Sequence, residues 1–363
     1  MKLQVTQENL NQALSSVSRV ANTRNTLPIL SNVLVKTIGN RLSLTATNLD
    51  IAIVHFVGAK VSEEGAITVP ARLMQDFVSS LPGGVIELEL TSTKLKVTTD
   101  KYNSVVNGII ADDFPVMPTI SDGKTWKIDS NTFKKGLQQT VFAASGDEAR
   151  QVLTGVFIHT KNDKLFVAAT DSFRLAEKEL GKNSQQIAIL VPASAMQELL
   201  RVTSDHEGEI TITHNEQQVL FQVGDIELTA RLVDGSYPDY QKLIPSTFKS
   251  SIQLKKADLV NITKVSNLFA RESAGSVTIE LNEKSNNLSI HSVASQLGEN
   301  TAIAEGKVEG SDSITLNSRY LLDALGVLSG DEVYFGFNGK LEPTILKDPK
   351  DPTYKHVIMP LKS

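Results

Sequence analysis

The chain has 363 residues, 40% of them hydrophobic and 21% charged, a composition ordinary for a soluble globular protein with room for two or three separate cores. It contains no cysteine, which excludes disulfides, thiolate metal sites and cysteine nucleophiles. The formal net charge of -5 argues against holding nucleic acid by bulk charge alone, so any such reading must find a local positive surface.

No apolar run approaches the roughly 18 residues that a membrane span needs, and the opening MKLQVTQENL lacks a signal-peptide core, so a cytoplasmic protein is expected. Residues 6–22 read as an amphipathic helix, with Leu10, Ala13, Leu14, Val17 and Val20 on one face and Gln7, Asn11, Gln12, Ser15 and Arg19 opposite. Segment 42–53 (LSLTATNLDIAI) opens with the alternation of a half-buried strand. Segment 66–84 (AITVPARLMQDFVSSLPGG) reads as a short strand, a proline, then a helix with Leu73, Met74, Phe77, Val78 and Leu81 on its buried stripe, stopped by Gly83 and Gly84. A hairpin-like pair, 85–99 with 103–110, and a linker at 111–124 follow.

The same order then returns twice. A helix at 129–145 (Phe133, Leu137, Val141, Ala144), a strand from 165, a strand–helix at 188–208 (Met196, Leu199, Leu200), a strand pair at 210–214 and 219–232, and a linker at 233–251 make the second copy. The third has a helix at 255–271 (Leu259, Ile262, Val265, Phe269), a strand from 288 and a strand–helix at 313–331 (Leu321, Leu322, Leu325, Leu328). It closes on strands 332–338 and 341–346, joined by a two-residue Asn338-Gly339 turn. Pro70 to Pro192 is 122 residues and Pro192 to its counterpart Asn317 is 125; the strands from Leu42, Leu165 and Leu288 stand at equal steps of 123. The expected fold is α+β: three copies of one unit of about 120 residues, each two helices packed on antiparallel sheets, with domains at 1–122, 123–247 and 248–363. Units joined with constant geometry make an arc, and an arc with unlike ends closes head to tail with a second copy.

Catalytic signals are thin. The six histidines are scattered singly without metal-ligand spacing, Asp112-Asp113 and Asp147-Glu148 read as solvated loop acids, and GFNG reads as a turn rather than a phosphate cradle. No metal, cofactor or catalytic residue is expected. Basic residues on equivalent helices carry more: Arg19, Arg24, Arg72, Lys134, Lys135, Arg150, Arg201, Lys255, Lys256, Lys264 and Arg271 could together form one positive surface on an acidic molecule.

Several motifs in register carry a resemblance. Thr26-Leu27-Pro28-Ile29-Leu30, Thr68-Val69-Pro70-Ala71-Arg72, Ala169-Thr170-Asp171 with Arg174-Leu175, Asp234-Gly235 with Tyr237-Pro238-Asp239-Tyr240, and the ending Val357-Ile358-Met359-Pro360-Leu361 resemble the bacterial sliding clamp, the β subunit of DNA polymerase III, from end to end. The resemblance implies a head-to-tail homodimeric ring of six similar domains. Duplex DNA would pass through it without sequence preference, while the replicative polymerase, the clamp loader and other partners dock by short peptides. By matching position it implies DNA contacts at Arg24, Arg72, Arg150 and Arg201, with Gln151-Val152 where some clamps carry aromatic residues. It implies a peptide pocket lined by Leu153, Thr170, Phe173, Arg174, Leu175, Pro238, Lys242, Leu243, Val357, Met359, Pro360 and Leu361. Ser172-Phe173 stands there where Gly-His is common in the family. The implied dimer contact joins Ser104 and Val106 to Leu268 and Phe269 of the other subunit. The rival reading from the residues alone is a β-rich binding module built by triplication; the absence of a signal peptide and the single tryptophan, Trp126, weigh against it.

Overall fold

The computed structural model describes residues 1–21, 27–115, 119–296 and 298–361, and Arg24 lies outside them. The chain forms two compact units, one of residues 1–131 and 197–232, the other of residues 132–196 and 233–363. Among the described residues no helix is long and apolar enough to cross a membrane.

The first unit holds two antiparallel sheets and the helices α1 (Gln7–Val17) and α2 (Ala71–Ser80). Helix α1 begins where the Thr6 hydroxyl accepts the Asn9 amide, and it buries Leu10, Ala13, Leu14 and Val17, the stripe its spacing predicts. It ends at Val17 rather than at residue 22, although Val20 and Ala21 beyond it are buried. On α2 the buried face is Ala71, Met74 and Val78, continued by Leu81, so Leu73, expected on that stripe, is 55% exposed. Met74, Val78 and Leu81 keep their expected places, while Ala71 rather than Leu73 faces the core, and hydrophobicity alone does not reveal that. Five strands in the order Lys60–Glu63, Lys2–Thr6, Val85–Thr91, Lys94–Thr98 and Asn103–Asn107 make the smaller sheet. The larger has eight, and at its centre Ile51–Gly58 pairs with Ile226–Arg231, placing Ile53 opposite Leu228.

The second unit repeats the plan with α5 (Lys256–Phe269) and α6 (Ser318–Val327), after α3 (Ser130–Thr140) and α4 (Ala193–Val202), within which the chain passes between units. Its nine-stranded sheet is likewise joined at the centre, where Arg174–Lys182 pairs with Asp351–Ile358. Its four-stranded sheet ends on Gly298–Glu305. Helix α5 buries Leu259, Thr263 and Ser266, followed by Ala270, rather than the all-apolar stripe expected. The Thr263 hydroxyl donates to the Leu259 carbonyl at 2.6 Å, and Ser266 accepts from Asn300 at 3.1 Å, so both polar residues are satisfied inside. Val265 (45% exposed) and Leu268 (51%) are turned outward. The expected Asn338-Gly339 hairpin is also absent: Glu332–Phe337 and Thr344–Asp348 are joined by a longer loop, because the Asn338 side chain is held by the backbone of Thr247 and Lys249.

A buried ion cluster ties the nine-stranded sheet together. The Lys178 ammonium, almost inaccessible, donates to Asp351 at 2.8 Å and Thr353 at 2.6 Å, and Lys135 of α3 approaches Asp351 at 3.5 Å. Burial alone would raise the Asp351 carboxyl; the hydrogen bonds from Lys178 and Thr353 outweigh it and hold the group at about 2. A lowered native pKa stabilises the fold above the unfolded value and loses that contribution as pH falls through the native one. Asp351 should therefore contribute on the order of 2 kcal/mol at pH 7, lost between pH 4 and 2. Urea unfolding of wild type and Asp351→Asn across pH 2–7 checks this: the gap in stability should narrow toward pH 2, and a gap independent of pH refutes it.

Candidate binding surfaces: a central sheet seam, cationic helices and two open edges

The residues expected to line a peptide groove gather around the turn that precedes Arg174–Lys182. The Thr170 hydroxyl donates to the Arg174 carbonyl at 2.6 Å and accepts the Ser172 amide at 3.1 Å. One Asp171 oxygen accepts the amides of Phe173 and Arg174, both at 2.9 Å. Ser172 takes φ 76°, and Phe173 is thrown outward, 57% exposed. The first repeat builds the same turn 123 residues earlier. Thr47 donates to Ile51 and accepts Leu49, Asn48 accepts Asp50 and Ile51, and Leu49 takes φ 78°.

What distinguishes the second copy is Arg174. Its guanidinium binds Asp171 at 3.1 Å, Asp323 at 2.5 Å and the Phe142 carbonyl at 2.7 Å. It lies over the rings of Phe142 and Tyr320 at 5.3 and 4.6 Å. The charge is thus neutralised by two carboxylates, and Arg174 acts as a rivet in the groove wall. Beside it His356 is buried, stacked on Phe142 at 5.6 Å and pushed down to about 3 by burial and by Arg174, so it is a neutral packing ring.

The floor is apolar. Leu175 pairs across the sheet with Val357, and both pack with Ala168 and Tyr240, supported by Phe157, Tyr237 and Ile244. Tyr240 is anchored by its hydroxyl to His159 at 2.7 Å, and Tyr237 stacks on Phe157 at 4.9 Å. The chain end continues the pairing: the Met359 amide donates to Phe173 and the Leu361 amide to Thr315, each at 2.8 Å. Leu153 and Thr170 are buried; Met359, Pro360 and Leu361 are half-buried; Pro238, Lys242 and Leu243 are exposed, Lys242 in a 2.8 Å ion pair with Asp239. Sequence reasoning missed Phe142, Tyr320 and Asp323, which no motif marks as companions of Arg174.

The cationic residues differ in how free they are. Arg72, on the first turn of α2, reaches into solvent, and among the described residues its one ion pair is with Asp76 at 3.9 Å. Arg150 donates to the Ser172 hydroxyl at 3.0 Å. Arg201 is committed: it donates to the Ser15 and Ser16 carbonyls in the last turn of α1 and pairs with Glu198 at 2.8 Å, capping that helix from outside. Of the residues expected at a dimer contact, Val106 is buried in its own unit and Ser104 half-buried. What Asn103–Asn107 offers a partner is its open edge and Val105. Leu268 is exposed and Phe269 half-buried at the end of α5.

Helix pairs over antiparallel sheets, repeated along the chain and joined by strand pairing, define an α+β protein built from three similar units. Family models of the DNA polymerase III beta subunit match residues 1–118 (N-terminal domain), 127–239 (central domain) and 241–362 (C-terminal domain). The chain belongs to that family, the bacterial β sliding clamps. It is 32% identical to the beta sliding clamp of Synechocystis over 100% of this chain and 99% of the relative. The DNA polymerase sliding clamp of Bacillus subtilis superposes with a TM-score of 0.95 at 28% identity, covering 100% of this chain and 99% of that one. The pol III beta of Caulobacter crescentus gives 0.92 at 30% identity, with both chains covered completely.

Arg174→Ala should lower stability by about 2 to 4 kcal/mol, because it strands Asp171, Asp323 and a carbonyl together. Arg174→Lys should recover little of the loss, since an ammonium cannot reproduce the planar, multiply bonded stack. Urea midpoints of the two variants decide it; a lysine variant as stable as wild type refutes the rivet.

Proposed function

We propose that this chain is the processivity clamp of its replicative polymerase: two copies close head to tail around duplex DNA, slide along it, and tether partners through the groove. In this reading it is a cytoplasmic, non-catalytic protein of three domains, at 1–122, 123–247 and 248–363. One observation carries the assembly. The strands Ile51–Gly58 and Arg174–Lys182 begin 123 residues apart, and each pairs with the closing strand of the following repeat, Ile226–Arg231 or Asp351–Ile358. Their counterpart in the third repeat, Gly298–Glu305, is a sheet edge, and so is the first repeat's closing strand, Asn103–Asn107. The same pairing rule then calls for the third repeat of one copy to pair with the first repeat of another. Exposed Val265, Leu268 and Ile303 beside the one edge, and Val105 on the other, supply apolar surface for that contact.

DNA contact in this reading is loose and made to phosphates, by Arg72, Arg150, Arg201 and Arg24, with the exposed Arg19, which lines one cleft with Arg201, as a further donor. Arginines meeting phosphates release counterions without reading bases, which suits a part that must slide. Arg201 contributes a fixed charge, Arg72 a mobile one. Light scattering should give twice the chain mass, and protein loaded on nicked circular DNA should stay bound until the circle is linearised. Leu268→Glu with Phe269→Glu should give monomers that are not retained, because the contact would bury unpaired charge. An unchanged dimer in that variant refutes the interface, and equal loss from circular and linear DNA refutes encirclement.

The groove's occupant is a short peptide with a glutamine and two or more large apolar side chains, such as a polymerase or clamp-loader tail. Its rigid floor of Leu175 and Val357, with adaptable Met359 at the rim, suits several partners. Leu243, half of whose surface is exposed, is outside the core, so Leu243→Ala should leave the fold intact. It should weaken a labelled tail peptide by on the order of 2 kcal/mol, about thirtyfold. Deletion of residues 359–363 should abolish peptide binding. Titration by fluorescence anisotropy reads both, and equal affinity in wild type and the deletion refutes the pocket.

A further inference from the structure

The face of the nine-stranded sheet that floors the groove continues into a second cleft, of about 570 Å³. Glu177 follows Leu175 by two residues and Lys355 precedes Val357 by two, and the strands set Glu177 opposite Lys355 just as they set Leu175 opposite Val357. Alternation puts all four on one face, with the cleft about 7 Å from the groove floor. The connecting segment serves both sites: Tyr240 and Ile244 pack with Leu175 and Val357, while Gln241 and Ile244 line the cleft.

The chemistry changes along that face. The cleft carries Lys161, Lys164, Lys347 and Lys355 against Glu177 and Glu179. Buried Glu177 is satisfied by Gln241 at 3.2 Å and Lys355 at 3.5 Å, and Glu179 takes Lys164 at 3.0 Å. Lys161 is bonded to the neutral amide oxygen of Gln241, and the Lys347 ammonium lies over the Tyr334 ring at 4.6 Å. Among the described residues neither has a carboxylate within ion-pair distance. A chain of net charge -5 therefore presents four ammonium groups against two carboxylates in a concave site, two of them without a direct ion-pair partner although Lys161 also feels Asp239, one step from an apolar groove.

We propose that this cleft receives the acidic flank of the peptide whose apolar residues occupy the groove, with Asp or Glu side chains of that flank meeting Lys161 and Lys347. The inference rests on the groove reading. A peptide is favoured over single-stranded nucleic acid because the cleft's rings are already engaged. Phe166 stacks on His159 at 5.4 Å and Phe248 packs edge-on to Tyr334 at 5.7 Å, so neither stands free as a platform for a base. The cleft would select partners by charge, where the groove accepts them by shape.

The test compares three labelled peptides that share the groove motif: one with a Ser/Gly flank at each end, and two with four acidic residues replacing one flank or the other. One acidic peptide should bind wild-type protein about threefold to tenfold tighter than the neutral one in low salt. That gain should vanish in 0.5 M NaCl and in the double variant Lys161→Gln, Lys347→Gln, which should bind the neutral peptide as wild type does. Failure of the neutral peptide to bind wild type would overturn the groove, and the cleft with it. Equal affinity of neutral and acidic peptides, or a gain that persists in the double variant, would overturn the cleft alone. A labelled oligothymidylate that binds wild type and is lost in the double variant, without any acidic-flank gain, would assign the cleft to nucleic acid instead.

Discussion

A strand edge with no neighbour leaves a row of backbone donors and acceptors unmet, and this molecule is arranged by how such edges are satisfied. Two repeat borders are sealed in one way, by pairing a strand that follows an Asx-type turn with the closing strand of the next repeat. Each seal merges sheets from neighbouring repeats into one, of eight strands in one unit and nine in the other. That is why a chain with a threefold sequence period condenses into two compact units. A border sealed by backbone pairing needs no particular side chain, so repeats can diverge widely and still join. It also leaves the inward faces of the seal free to specialise.

The second seal has specialised. Pairing Leu175 with Val357 puts two aliphatic side chains side by side at the mouth of the sheet, and the connecting segment brings Tyr240 onto them. The proposed groove would then need no element built for it alone. Arg174 then fixes its wall by joining Asp171, Phe142, and Tyr320 with Asp323 of α6, which come from three separate stretches of chain. Breaking the seal would therefore remove the groove along with the border, so binding and fold integrity are coupled there.

The sequence carried the period, the fold class and five of the six helices' faces in outline, because helical spacing and equal steps between matching motifs are local signals. The Thr-Asx turns at Thr47-Asn48 and Thr170-Asp171 sit at the same phase of the repeat, yet the expected strands run through both, and only the resemblance marks Thr170-Asp171. What escaped was set by partners distant in the chain. Leu73 and Val265 are apolar and exposed because another residue of their helix faces the core. Lys178 meets Asp351 across 173 positions of sequence, and neither carries a mark of its burial. Burial of a charge depends on what the fold brings beside it, and a linear pattern cannot register that.

The fate of the arginines follows the same logic and bears on how, in the proposed reading, a negatively charged chain would meet DNA. Arg174 and Arg201 look alike in sequence to Arg72, yet each is held by carboxylate and carbonyl oxygens, and little of its field is left unopposed. Among the described residues Arg72 has one distant, exposed carboxylate, and its own side chain is almost wholly exposed. A phosphate backbone passing the helices would feel the second kind far more than the first. Contacts of that kind break as easily as they form, because an exposed pair contributes little and is screened by salt. Retention must then come from topology, which makes the open edges Gly298–Glu305 and Asn103–Asn107 the features on which the proposed function turns.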